Sequence, residues 1–323
     1  MTQAPTKAGR GGPAAAEAAV PGGAVSAGMP PLFESAAEVE QSLRGVAYLP
    51  DKKIASVVHL ADRLHKPVLI EGPAGTGKTE LAKSVALMTG APLIRLQCYE
   101  GLDEAKALYE WDYRKQLLHI QMREGELDEN ASRDLEGELF GERFLLTRPL
   151  LAAIRATEPV VLLIDEVDRL DIETEALLLE VLSDFQVSIP ELGTITARTQ
   201  PLVFLTSNTS RELSEALKRR CLYLHIDYPS VAREREIVLA RVPGIAEDLA
   251  NQLTQLMRSL RSLDLKKKPS ISETLDWART LVVLGTAHID AETLASTFPV
   301  LLKNQSDIEL AIKELGDHTM ARP

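Results

Sequence analysis

The chain has 323 residues, of which 45% are apolar and 26% charged, with a formal net charge of −11. That length and composition suit a folded protein with a sizeable core and about two domains. The acidic balance argues against a surface built to neutralise a nucleic-acid backbone. No apolar run approaches the ~20 residues of a membrane span, and two cysteines without a CxxC pair exclude a disulfide framework or zinc ribbon.

Residues 1–34 are rich in Ala, Gly and Pro and predict a disordered tail. Glu17, Pro21, Gly22 and Gly23 interrupt any apolar core of a secretion signal, so the expected location is the cytoplasm. Next, Ile54, Val57, Val58, Ala61 and Leu64 recur at helical spacing in 51–65. "KPVLIE" reads as a strand. "KTELAKSVALMTG" then reads as a helix closed by Gly90, and "PLIRLQCY" (92–99) as a second strand. From 100 to 147 the pattern is irregular. Aromatics alternate at 109, 111 and 113, predicting an extended segment, and an acidic stretch from Glu124 to Glu142 includes only Arg133 as a basic residue. A solvated loop is the plain reading of that stretch; a surface for a basic or metal-dependent partner is the sharper one.

"RPLLAAIRAT" predicts a helix, and the apolar start of "PVVLLIDEVDRL" (159–170) a strand buried on both faces. A helix over "ETEALLLEVLSDF" follows, then a hairpin turning near Leu192-Gly193. "PLVFLTSN" and "CLYLHIDYP" are two further strands, separated by a short helix. Alternation of strands and helices predicts an α/β fold, a mostly parallel sheet with helices on both faces. Residues 35–229 form this core, with an insertion around 100–147. From 230 to 323 the pattern is helical, broken near "DLKKKPS", and predicts a small all-helical domain.

Gly72-Pro73-Ala74-Gly75-Thr76-Gly77-Lys78-Thr79 fits GxxxxGK[ST], with a strand before it and a helix after it. Glycines let backbone N–H groups converge on a phosphate, and the helix N-terminus adds partial positive charge. Lys78 is expected at the β/γ-phosphates of a nucleotide and Thr79 at Mg²⁺. Asp165 and Glu166 end the buried strand, where open parallel sheets place their ligands. There Asp165 can hold Mg²⁺ through water and Glu166 can polarise an attacking water. Asn208 ends the next strand and either orients that water or forms a turn. Arg219 and Arg220 are either solvated surface or an arginine finger for a neighbour's ATP. Helix capping is the expected work of Asp171, and Asp168 has no assigned role.

The glycine loop, "LLIDEVD", the hairpin "FQVSIPELGTI", "TSN" and "ALKRRC", in this order, resemble an AAA+ ATPase. More narrowly, the hairpin before the sensor strand and the insertion resemble the MoxR family, over about residues 35 to 315. "RLQCYEGLDEAKALYEWDY" looks like members linked to maturation of molybdenum-containing carbon monoxide dehydrogenase. The resemblance implies an ATP-hydrolysing chaperone acting as a hexameric ring on a client metalloenzyme, with a von Willebrand A-domain partner. It also implies Thr79 and Asp165 at Mg²⁺, Glu166 as catalytic base, Asn208 as sensor 1 and Arg220, with Arg219 as alternative, as finger. The 230–323 helices become a lid. Its sensor-2 position carries Glu273 rather than arginine, with Arg279 nearly two turns later. A nucleic-acid motor on the same core is the competing function. Overall acidity and the lack of an aromatic-basic stripe disfavour it.

The six histidines form no HxH or HxxxH pair, so a structural metal site is not expected. Cys98 and Cys221 border apolar strands and are expected as buried thiols. Lys266-Lys267-Lys268 reads as an exposed loop.

Overall fold

In the computed structural model, which describes residues 31–122 and 138–319, nine strands occur among the described residues. In chain order they are β1 (Val68–Glu71), β2 (Leu93–Gln97), β3 (Tyr109–Trp111), β4 (Leu145–Thr147), β5 (Val161–Asp165), β6 (Gln186–Ile189), β7 (Gly193–Thr196), β8 (Leu202–Ser207) and β9 (Leu222–His225). Five of them form a sheet in the order β2-β5-β8-β1-β9, every pairing parallel. β5 and β8 are buried along their whole length, as a strand covered on both faces must be.

Alternation along these strands divides the core in two. Leu69, Leu162, Ile164, Val203 and Leu205 face one cluster, packed with helices Pro149–Arg155 and Ile172–Asp184. Val68, Ile70, Val161, Leu163 and Phe204 face the other, with helices Ala36–Gly45, Lys52–Leu64 and Lys78–Thr89. The fold is therefore an α/β P-loop core with helices on both faces. Asp51 starts helix Lys52–Leu64 by accepting from the Ile54 N–H (2.7 Å), and His65 ends it in a left-handed conformation. Phe33 lies inside the stretch expected as tail. It is buried in the second cluster, and its N–H donates to Asp62 (3.1 Å). Residues 1–30 lie outside the described residues.

In the insertion, β3 pairs antiparallel with β4. The extended segment expected through 113 stops at Trp111. Asp112 accepts from the Lys115 N–H (3.0 Å) and turns the chain into helix Tyr113–Met122. The acidic stretch lies outside the described residues except for 138–142; there Arg143 pairs with Glu138 and Arg155 with Glu142. The expected hairpin is β6–β7. Gly193 has φ +77° at the turn, a conformation that glycine adopts without steric cost.

Five helices follow: Val231–Arg241, Glu247–Ser262, Ile271–Val283, Ala291–Leu301 and Gln305–Thr319. They enclose their own apolar cluster around Trp277, Phe298 and Met257. Inside it Glu234, 1% exposed, takes a bidentate pair from Arg261 at 2.6 and 2.8 Å, and the Thr274 hydroxyl donates to the same carboxylate. Such a buried pair is tolerated only with its hydrogen bonds complete. Lys266, Lys267 and Lys268 are exposed in the break between two of these helices, as expected. The helices reach the sheet side through Arg241, which pairs with Glu80 of the first post-loop helix (2.8 Å).

Candidate nucleotide site

Two glycines of the 72–79 loop are required by close approach. At Gly72 (φ +147°) an added Cβ would sit 1.9 Å from the Ile226 carbonyl oxygen, which follows β9. At Gly75 (φ +72°) it would sit 2.1 Å from Ser270 Oγ, at the start of helix Ile271–Val283. The loop is thus pressed between the end of β9 and the C-terminal helices, and neither side leaves room for a side chain. Thr76 closes the loop by donating to the Pro73 carbonyl (2.9 Å), and Ala74 is exposed. Lys78 is 5% exposed, and its ammonium donates to the Gly72 and Pro73 carbonyls at 2.7 Å each. Burial lowers its pKa, against the opposing pull of Asp168, Asp165 and Glu166.

Asp165 ends β5 and is 3% exposed. One carboxylate oxygen accepts from Thr79 Oγ1 (2.8 Å) and Thr206 Oγ1 (2.6 Å). The other accepts from Arg95 Nε (3.1 Å) and Nη2 (2.5 Å). Glu166 follows in a left-handed conformation (φ +60°), and its N–H donates to the same Thr206 hydroxyl (2.9 Å). Its carboxylate pairs with Arg169 at 2.6 Å. One threonine therefore registers both acids.

The structure brings together Lys78, Thr79, Asp165 and Glu166, four of the residues picked out for this end of the sheet. Arg95, Thr206 and Arg169 were missed. Arg95 stands two residues before Gln97, the partner of Asp165 in the β2–β5 register, on the same face, and only that pairing brings it to Asp165. A hydroxyl and a buried carboxylate are hard oxygen donors that fit Mg²⁺. No group of three or more His, Cys, Asp or Glu able to hold a metal occurs among the described residues.

Asn208 follows β8 and is partly exposed. Asp168 is buried and accepts from the Ser210 N–H (2.9 Å) and hydroxyl (2.6 Å). Burial would raise its pKa, but these bonds hold it below the ordinary value. Asp171 caps helix Ile172–Asp184 by accepting from the Thr174 N–H (2.8 Å), as expected. Arg219 and Arg220 end helix Glu215–Arg220 and are exposed. They precede β9, so they lie at the amino end of a strand whose parallel neighbour β1 carries the glycine loop at its carboxyl end. Within one chain they are not brought to the loop.

A cavity of about 700 Å³ opens beside the loop, lined by Gly75, Thr76 and Gly77, by Tyr48 and Tyr228, and by Arg279. Glu273 is committed elsewhere: its carboxylate accepts from the Ser270 N–H (3.0 Å), forming a capping box. Of the two sensor-2 candidates, Arg279 lines the cavity and Glu273 caps its own helix. Burial pushes both thiols up to about 12. Cys98 is fully buried as expected, whereas Cys221, just before the edge strand β9, is partly exposed.

A glycine loop between a parallel strand and a helix, with a buried lysine, a hydroxyl and a carboxylate converging on it, defines a P-loop nucleotide-binding fold. The family model "ATPase family associated with various cellular activities (AAA)" matches residues 68–228. Over that stretch the chain is similar to the AAA ATPase family. The chain is 29% identical over 232 residues to the gas vesicle ATPase GvpN of Ancylobacter aquaticus, covering 68% of this chain and 61% of that protein. Protein NorQ of Paracoccus denitrificans is 26% identical over 67% of this chain and 72% of its own length. The denitrification regulatory protein NirQ of Pseudomonas aeruginosa is 25% identical over 64% and 72%. Among the described residues no helix is long and apolar enough to cross a membrane.

Proposed function

We propose that this chain hydrolyses ATP as the subunit of a ring-forming, MoxR-type AAA+ chaperone, with residues 35–229 as motor and 230–323 as lid. The observation that carries the reading is the 2.8 Å contact of Thr79 with Asp165 beside Lys78, with Glu166 next in the chain. In this reading the loop N–H groups and Lys78 bind the β/γ-phosphates. Thr79, and Asp165 through water, hold Mg²⁺, which offsets phosphate charge. Glu166 accepts the proton of the attacking water, and Asn208 orients that water. Arg220, or Arg219 beside it, serves the neighbouring subunit's ATP; exposure of both supports that role.

Hexameric assembly, a von Willebrand A-domain partner and a metalloenzyme client rest on the family resemblance. So does maturation of the molybdenum centre of carbon monoxide dehydrogenase as the client reaction. Affinity capture with Glu166→Gln held on ATP tests this reading. Recovery of a von Willebrand A-domain protein together with an incompletely metallated enzyme supports it. Recovery of nucleic acid, with ATP hydrolysis stimulated by DNA, contradicts it.

A further inference from the structure

Residues 208–214 join Asn208 to the short helix that ends in Arg219 and Arg220, and two buried acids clamp this loop. Asp168 holds Ser210, as described above. Glu175, 2% exposed in helix Ile172–Asp184, accepts from Arg211 Nη2 (2.7 Å) and from the Ser214 N–H (2.8 Å). Ser214 is itself the N-cap of helix Glu215–Arg220, its hydroxyl accepting from the Leu217 N–H (3.3 Å). At the other end, Arg220 Nε donates to Ser183 Oγ, two turns along the same helix as Glu175. One helix therefore grips the six-residue segment at its first and last turns.

Glu175 makes no contact with the glycine loop, Asp165 or Glu166 among its hydrogen bonds and ion pairs. A carboxylate this buried is costly unless fully bonded. Burial would raise its pKa; the bonds from Ser214 and Arg211 outweigh that and hold it low. The segment it fixes has its arginines at the surface.

We infer that Glu175 is a positioning residue for the exposed arginine pair, and that its effect falls on the ATP of the adjacent subunit rather than on its own. The inference rests on the ring reading above and adds to it which residue sets the finger. A neutral amide at 175 turns one donor toward Ser214 or Arg211 and displaces the short helix. Displacement of a transition-state group by about 1 Å costs on the order of 10²-fold in rate.

The test is complementation in mixed rings, with mixing shown by native mass spectrometry. Rings of Glu175→Gln alone bind ATP normally and turn over about 10²-fold more slowly. Adding Lys78→Ala subunits, which lack a working site but keep the finger, restores hydrolysis at interfaces where they face a Glu175→Gln site. Adding Arg220→Ala subunits instead restores none. If Arg220→Ala is rescued by Lys78→Ala but Glu175→Gln is not, the inference is overturned and the ring reading stands. If neither is rescued, the trans finger fails and the inference with it. Arg211→Ala, at a half-buried surface position, gives the same pattern with a smaller loss and guards against misfolding of Glu175→Gln. Unchanged turnover in a folded Glu175→Gln ring overturns the inference outright.

Discussion

The two ends of the parallel sheet hold their charged side chains in different ways. At the carboxyl ends of β1 and β5, Lys78 and Asp165 are 5% and 3% exposed and fixed by strand register, glycine geometry and shared hydroxyls. At the amino end of β9, Arg219 and Arg220 lie on the surface, and the segment that carries them is held by hydrogen bonds from helix Ile172–Asp184. Buried, mutually satisfied groups fix one another within one chain. Exposed arginines on a clamped segment gain a target only when another surface is brought against them. The difference predicts that damage at the first end is felt by the same subunit and damage at the second by its neighbour.

Replacing the proposed finger separates the two ends most sharply. Arg220→Ala is expected to keep ATP affinity and lose turnover by ~10³. If Arg220→Ala loses nothing and Arg219→Ala does, the finger is the other residue of the pair. Loss of ATP affinity in Arg220→Ala would instead place that residue in its own subunit's site. At the opposite end, Lys78→Ala removes a charged donor worth roughly 1.5–3 kcal/mol. Equilibrium titration with a fluorescent ATP analogue should show affinity falling by ~10–100-fold; unchanged affinity would remove the loop from the site. The smallest effects are expected at the lid. Arg279→Ala should weaken nucleotide binding severalfold, because Arg279 lines the cavity and its one ion pair among the described residues is with exposed Asp276 (3.0 Å). Glu273→Gln should leave nucleotide binding alone and lower thermal stability slightly, by up to ~1 kcal/mol of capping. Exchange of these two outcomes would make Glu273 the lid's nucleotide contact.

The carboxyl end was legible in sequence because its chemistry is local. Eight consecutive residues make the loop, and Asp165 and Glu166 announce themselves by ending an apolar run. The partners that fix these acids were not legible. Thr206 and Arg95 reach Asp165 across strand pairings separated by 41 and 70 residues, which no single-sequence period encodes. Glu175 was hidden for the same reason, as one of several glutamates on a helix whose buried face only the packing reveals. Composition also misled near the N-terminus. An Ala/Gly/Pro-rich stretch reads as tail, yet Phe33 is a single large apolar residue and is buried in the second cluster, its N–H donating to Asp62. Near Tyr113 a strand-like alternation lost to an aspartate cap one residue earlier.

In the function proposed here, Asp165 and Glu166 sit at a centre that binds ATP and cleaves it. Single-turnover incubation of the assembled protein with Mg·ATP, followed by analysis of the bound nucleotide, tests it most directly. Wild type should yield ADP and phosphate, while Glu166→Gln should retain ATP and convert it ~10²–10⁴-fold more slowly. Equal rates of phosphate formation in the two proteins, or no nucleotide bound to either, would contradict it.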